Sequence, residues 1–513
     1  MPSKRPTFAS RLTRFLLAGA LLGSVACGSG GDASGVVDPA SATRLAPGGS
    51  QDFGLFRDLV ERGEVPGPDT LEATGFFAEH AIGTPEAACD DAVCTSASLG
   101  VLRNLMDERT CTVVRVGFAT PRTAAEARPA HLVLLAQATG ELATAEAALD
   151  GVFAGLRGGD TVSLVGFDSR ATTLVTETAS LPEARAALLD HVSDGGLDLY
   201  AGLRAAYALA ATTGEAREAR VLVLTAGRTS QGITSPTRIV ELVRSYAREG
   251  VATSVFGYGN DADAALWSRL AGSGAGNAFF AADADDVREI LREELATSFT
   301  PIARDVRVRL DAGNAWDVVG LYGVTDARLD TEAGIASLPS LFLAGRRDGG
   351  SVMGPGMGRR GGGGALLFEL MPRERFSGAD LRSVGDVSVE FVDPSTGETV
   401  VQRSTVSTPF DATAIPEDGF VGDASVDKAF VVLNVFVAFK TMTLAVQEGD
   451  YAEAIVLGRA LEPNLVTWLQ ANPDTDVEDD LSILRALLSN VERDAPADTD
   501  VSQAQPTPRW AYD

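Results

Sequence analysis

Histidine is nearly missing from this chain: His80, His131 and His191 are the three in 513 residues. A zinc-type site or a histidine base therefore has few places to sit. No Ser or Cys stands in a nucleophile setting around them. G-x-S-x-G elbows, Walker A loops and H-E-x-x-H helices are also lacking. The reading is therefore non-enzymatic and needs no cofactor. Basic residues are in deficit, 43 Lys and Arg against 70 Asp and Glu, for a net charge of −27. That argues against nucleic acid, whose affinity comes from cations on phosphates. An acidic balance favours solubility and names no partner. Beyond the N-terminal segment, no stretch reads as a membrane span: the apolar run within Val426–Gln447 is broken by Lys428, Asn434 and Lys440.

The N-terminal segment is an address. Lys4, Arg5, Arg11 and Arg14 make a basic region, and Phe15 to Leu22 a short apolar one. Residues 1–27 end on Gly23-Ser24-Val25-Ala26-Cys27, which resembles a bacterial lipobox. The resemblance implies lipidation at Cys27; Ser24-Val25-Ala26 equally fits ordinary secretory cleavage. Gly28 after the Cys suits an outer-membrane lipoprotein, facing the periplasm or the cell surface. In an exported protein Cys89, Cys94 and Cys111 can form a disulfide, with three pairings open.

Patterning divides the rest. Residues 28–50, rich in Gly, Ser, Ala and Asp, read as a disordered linker. Residues 51–128 read as an N-terminal α+β region, with helices at Phe53–Glu64 and Asp69–Ala81 and a strand at Thr110–Phe118. Residues 129–300 alternate strand and helix, which predicts an α/β fold with a doubly wound parallel sheet. The predicted strands are Leu132–Ala136, Thr161–Phe167, Val221–Thr225, Val251–Gly257 and Asn277–Ala281. Residues 301–412 alternate apolar and polar between turns and predict an antiparallel, sandwich-like domain. Inside it, Gly345 to Gly364 holds four Arg and reads as a mobile hairpin loop. Its G-x-G-x-x-G match at Gly356 is chance, since a strand rather than a helix follows. Residues 413–494 predict a helical domain with helices at Val426–Gln447, Tyr451–Gln470 and Val477–Arg493. Asp474 to Asp480 lack the EF-hand Gly and Glu and read as the acidic start of a helix. Residues 495–513 read as a disordered tail.

Several motifs together carry a wider resemblance. RPAHLVLL, DTVSLVGFDSRA, GGLDLYAGLRAAY, RVLVLTAGRTSQG and GVATSVFGYGNDADAALWSRLAGSGAGNAFF resemble the successive strands and loops of a von Willebrand factor type A domain. Residues 51 to about 490 resemble bacterial lipoproteins that carry one. The resemblance implies a cation site built from an Asp-x-Ser-x-Ser loop, a Thr and an Asp. Here those positions hold Gln137, Thr139, Glu141, Leu197 and Ala226. Leu197 and Ala226 bring no side-chain oxygen, so the set falls short of the six or so oxygens such an ion takes. Glu141 suits a helix start and Asp198 a helix cap. The expectation is an exported, lipid-anchored interaction scaffold without a metal. It would contact an envelope or extracellular protein through Gln137, Thr139, Glu141 and Asp198, or through the Arg-bearing Gly-rich loop. A rebuilt cation site on Glu141 and Asp198, and an envelope structural role without a ligand, are the alternatives.

Overall fold

In the computed structural model, the residues described are 44–83, 89–123, 128–137, 142–193, 195–214, 216–259, 263–295, 300–345, 359–373, 381–409 and 419–509. The export segment with Cys27, and the positions Thr139 and Glu141, lie outside them.

The chain opens with strands β1 (Arg44–Pro47) and β2 (Gly49–Ser50), helices α1 (Gly54–Glu61) and α2 (Ala73–Glu79), and strands β3 (Cys94–Arg103) and β4 (Thr110–Ala119). The alternating part runs β5 (Ala130–Gln137), α3 (Leu142–Gly155), β6 (Thr161–Phe167), β7 (Ala171–Thr178), α4 (Leu181–Leu189), α5 (Leu199–Ala210) and β8 (Glu218–Thr225). It continues through α6 (Pro236–Arg248), β9 (Ala252–Tyr258), α7 (Ala264–Ser273), β10 (Asn277–Ala281) and α8 (Ala284–Glu294). Next come β11 (Pro301–Ala312), β12 (Trp316–Tyr322), β13 (Ala327–Leu329), β14 (Ala333–Ala344), β15 (Leu366–Pro372), β16 (Ser383–Val392), β17 (Thr399–Ser407) and β18 (Phe420–Val421). Helices α9 (Ala424–Glu448), α10 (Tyr451–Ala471) and α11 (Thr475–Asp494) close the fold.

Two sheets organise these elements. The first has the order β2-β10-β9-β8-β5-β6-β7, parallel except for the edge strand β7. Its central strand β5 is buried along nearly its whole length because helices cover both faces. The edge strand β7 (ATTLVTET) is polar on its open side, so its sequence lacks the apolar run that marks the other strands. The second sheet has eleven antiparallel strands, with the path β12-β15-β4-β1-β14-β11-β16-β17 and β3, β13 and β18 paired off it. Its end strand β17 approaches β3 where Gln402 bonds Thr95, Asp91 and Val93. One enclosed apolar core results, as expected of a sandwich-like domain.

The boundaries differ from those read in sequence. Arg44 to Ser50 are strands rather than linker: β1 sits between β4 and β14, and Leu45 is fully buried. Residues 51–128 do not make a region of their own. Strands β3 and β4 belong to the second sheet, while α1 and α2 pack on α9 and α11. A lone hairpin and two short helices cannot bury their apolar faces without those partners. Helix α2 begins only at Ala73, because Lys440 Nζ takes the Pro68 and Leu71 carbonyls and Leu71 is extended. The tail is packed as far as Arg509, whose N–H donates to Thr441 Oγ1 and whose guanidinium pairs with Glu448 and Glu453.

Helix α9 has the length and mean hydropathy, 2.0, of a membrane span, yet 83% of that window is buried in protein. It is the core of the helical part, stacking Phe436 and Phe439 against Phe56, Phe76 and Phe77. Its three polar interruptions all find protein partners. Asn434 accepts from the Leu105 N–H, Lys428 pairs with Asp474 and Asp476, and Lys440 holds the carbonyls named above. Asp423 caps its start, and Gly449, at φ +85°, ends it in the left-handed conformation.

Candidate functional site

In an open α/β sheet, ligands bind beyond strand C-termini where the strand order reverses. Here that point lies between β5 and β8, since β5 leads to β6 on one side and β8 to β9 on the other. Gln137 ends β5 and Ala226 follows β8 at this crevice. Gln137 Oε1 accepts from Thr225 Oγ1 at 3.0 Å and from the Ala226 N–H at 2.8 Å. The amide thus ties the two strand ends together across the position where the resemblance places a metal ligand.

Leu197 is a core residue, packed with Leu135, Phe167 and Leu199 under the crevice. Its carbonyl accepts from the Ser230 and Gln231 N–H groups and from Thr229 Oγ1, and its own N–H donates to Ser230 Oγ. The loop after β8 is therefore folded back over the loop before α5. Gly232, at φ +66°, makes this closure possible: a Cβ there would collide with the Asp198 carboxylate. Asp198 is the N-cap of α5, its Oδ1 accepting from the Ala201 N–H at 2.9 Å. Its N–H donates to the Asp168 carbonyl at 2.7 Å, linking the end of β6 to the same closed surface. Ala226 packs partly buried against the apolar core.

Three large apolar side chains are exposed on α3, on α4 and in the loop after it: Leu142, Leu189 and Val192. Arg185 pairs with Glu146 and Asp150, which sets α3 and α4 side by side in opposite directions. One helical turn further along each helix lie Leu142 and Leu189, at the strand-end side, and Val192 follows in the next loop. Arg228, also exposed, lies in the loop after β8. A separate small cleft lies at the far edge of the sheet, lined by Asp52, Glu72, Trp267, Ser268 and Phe280. Burial, helped by Glu79, pushes the Asp52 carboxyl up to about 6 there.

Among the described residues, a dense polar constellation lies elsewhere and was not anticipated from the sequence. His80, directly after α2, places Nε2 2.7 Å from Asp480 Oδ2 and Nδ1 2.6 Å from the Phe76 carbonyl. Arg359 reaches Asp480 Oδ1 at 2.8 Å, bonds the Asp476 carbonyl, and lies within 4 Å of Glu79, Asp476 and Asp479 carboxylates. Arg57 pairs with Glu79, and Lys428 with Asp474 and Asp476. Burial pushes the Asp480 carboxyl up, but His80 and Arg359 outweigh it and hold it below the usual carboxylate range. The acids at the start of α11 are therefore more than a solvated helix start: Asp474 caps it, while Asp476 and Asp480 are buried. Their spacing held a signal, since they share one face of α11 with Val477, Leu484 and Leu487.

The Gly-rich stretch is likewise not a free loop throughout. Arg359 and Arg360 are both 3% exposed, and Arg360 turns the other way, onto Glu293 and Glu294 of α8. Neither is available as an exposed contact surface; Arg346 and Arg347 lie outside the described residues. Cys89 and Cys94 form a disulfide, and Cys111 is a buried free thiol pushed up to about 12 by burial and Glu369. Among the described residues, no group of three or more His, Cys, Asp or Glu has an arrangement that could hold a metal ion.

Comparison with known proteins fits this geometry. Residues 139–293 match the model of the von Willebrand factor type A domain family. The uncharacterised protein YfbK of Escherichia coli K12 is 27% identical over 221 residues, 41% of this chain and 38% of that protein's length. Among solved structures, a von Willebrand factor type A protein from Catenulispora acidiphila aligns over 78% of this chain and 91% of its own, at 14% identity and a TM-score of 0.47. The ArnB paralog VWA2 from Sulfolobus acidocaldarius aligns over 78% and 96%, at 13% identity and a TM-score of 0.39. The chain contains a von Willebrand factor type A domain.

Proposed function

We propose that this chain is an exported, lipid-anchored, non-enzymatic interaction scaffold whose A domain binds a protein partner without a metal ion. Domains of this family are usually non-catalytic adhesion modules. The observation that carries the metal-free reading is Gln137. Its oxygen is engaged by Thr225 and the Ala226 N–H, where a cation would need an open ligand. Leu197 and Ala226 add apolar surface where oxygen ligands would stand, and the Asp198 carboxylate is used as a helix cap. The partner, an envelope or extracellular protein, would rest on the strand-end face, where Leu142, Leu189 and Val192 supply exposed apolar contact. Anchoring rests on the basic and apolar N-terminal pattern before Cys27.

Calorimetric titration of the full chain with Mg²⁺ and Mn²⁺ tests the metal-free reading. No binding heat is expected; tight binding that Asp198→Ala removes would overturn it in favour of a rebuilt cation site. Retention of an envelope partner should be the same with and without chelator. Labelling with a radioactive fatty acid should be lost in Cys27→Ser, and its persistence would overturn the anchor.

A further inference from the structure

The cluster around His80 is sealed: the side chains of His80 and Asp480 are 0% exposed. What distinguishes it from a static ion-pair network is the hydrogen-bond count on the imidazole. A neutral imidazole donates from one nitrogen and accepts at the other. His80 Nδ1 faces the Phe76 carbonyl, which only accepts, and Nε2 faces the Asp480 carboxylate at 2.7 Å, which when ionised also only accepts; the one donor near Nε2, Arg359 Nη2, is at the longer distance of 3.5 Å and is itself bonded to Asp480 Oδ1. Both contacts are hydrogen bonds only if both ring nitrogens carry protons. The charged groups of the network come from every element around the ring. Asp474 caps α11 and Asp476, Asp479 and Asp480 lie on it, Glu79 comes from α2, Arg57 from α1, Lys428 from α9, and Arg359 from the Gly-rich stretch. Five carboxylates share three fixed cations, which favours a fourth positive charge on the ring.

The geometry also says what this proton joins. His80 and Asp480 are 400 positions apart, so their bond ties the N-terminal helices to α11. Arg359 completes the contact from a third segment. That segment crosses the end of α2, where the Gly362 N–H donates to the Ala78 carbonyl and Ala81 bridges Gly363. Any Cβ at Gly362 would strike the His80 backbone. On its other side the same segment carries Arg360, fixed to Glu293 and Glu294 of the A domain. One dipeptide therefore touches both the helical part and the last helix of the A domain.

We propose that this joint is a proton-dependent clasp, closed while His80 is an imidazolium bonded to Asp480 and loosened when the ring gives up one proton. Deprotonation releases one proton to water and leaves a neutral ring that can donate to only one acceptor. Either the Phe76 carbonyl or Asp480 Oδ2 then loses the ring N–H, while Asp480 Oδ1 keeps Arg359, and a lost hydrogen bond is costly in a closed interior. The closed form holds one more proton than the open form. Opening is therefore favoured as pH rises.

The test uses the full chain and two readouts. Long-range ¹H–¹⁵N spectra of the three histidine rings, recorded between about pH 5 and 9, should show His80 with two protonated nitrogens in the closed form. The melting temperature should fall with rising pH over the interval in which one of those protons is lost, and His80→Gln should lack that fall. A single protonated nitrogen on His80 where the chain is fully folded would overturn the proposal. So would an unchanged pH slope in His80→Gln. Where that variant fails to fold, the wild-type spectra decide by themselves, with Asp480→Asn identifying the His80 signals as those that shift.

Discussion

The strand-end crevice of the A domain and the buried cluster at His80 handle polar chemistry in opposite ways. At the crevice, three of the five positions that could carry oxygen ligands hold a glutamine amide, a leucine and an alanine, which bond or pack against the protein itself. At the cluster, five carboxylates and three fixed cations are packed around an imidazole that is fully buried. Exposed groups are free to meet a partner, whereas buried charges are committed to one another and are costly to leave unpaired. The density of charge is therefore a poor guide to where this protein would bind. The face with less charge is the accessible one, and the charged site is a joint between distant segments.

Substitutions can break this contrast. Arg359→Met should have the largest effect, about 3–5 kcal/mol of lost stability, because it leaves Asp480 and its neighbours buried without their cation; urea denaturation measures it. A loss below about 1 kcal/mol would mean the cluster is solvated. Leu197→Ala should cost about 2–4 kcal/mol in the same experiment, as a core truncation does. A near-neutral result would return Leu197 to the open crevice. Gln137→Ala should cost about 1–2 kcal/mol, since it removes two hydrogen bonds at a partly buried site. Its Mg²⁺ titration should stay as flat as that of the wild type. The smallest stability change, within about 0.5 kcal/mol, is expected for Leu189→Asp with Val192→Asp. Partner retention should nevertheless fall at least about tenfold, since about 1.4 kcal/mol of lost contact suffices for that. A double variant that retains the partner fully would move the binding face elsewhere.

The order of strands and helices across the A domain was legible because it rests on local periodicity. Runs such as HLVLLAQ and VLVLT read as buried strands wherever they are placed, and Asp198 before LYAGL reads as a cap. The site positions were legible through the same motifs, and the structure puts Gln137, Leu197, Asp198 and Ala226 around one crevice. What the Gln137 oxygen bonds was not legible, because Thr225 and the Ala226 N–H lie on a strand 88 positions away. Strand β3 was missed since CTSASLGVLR alternates poorly, its inner face being shared between the sheet core and α9.

The sequence by itself determined the local states of this chain: the alternating elements, their caps and breaks, and the identity of the residues at the strand ends. Only the tertiary structure decided that β1, β3 and β4 complete a sheet built mainly from residues after the A domain. The sequence already read α9 as no membrane span, and the structure supplied the segments it packs against. The structure also turned Arg359 and Arg360 from a glycine-rich surface loop into a buried joint. The reason is separation along the chain. A cap or a strand is set by residues a few positions apart, whereas the partners of Arg359 lie about 120 and 280 positions away. Nothing in the local pattern records an energy that exists only once those segments meet away from water.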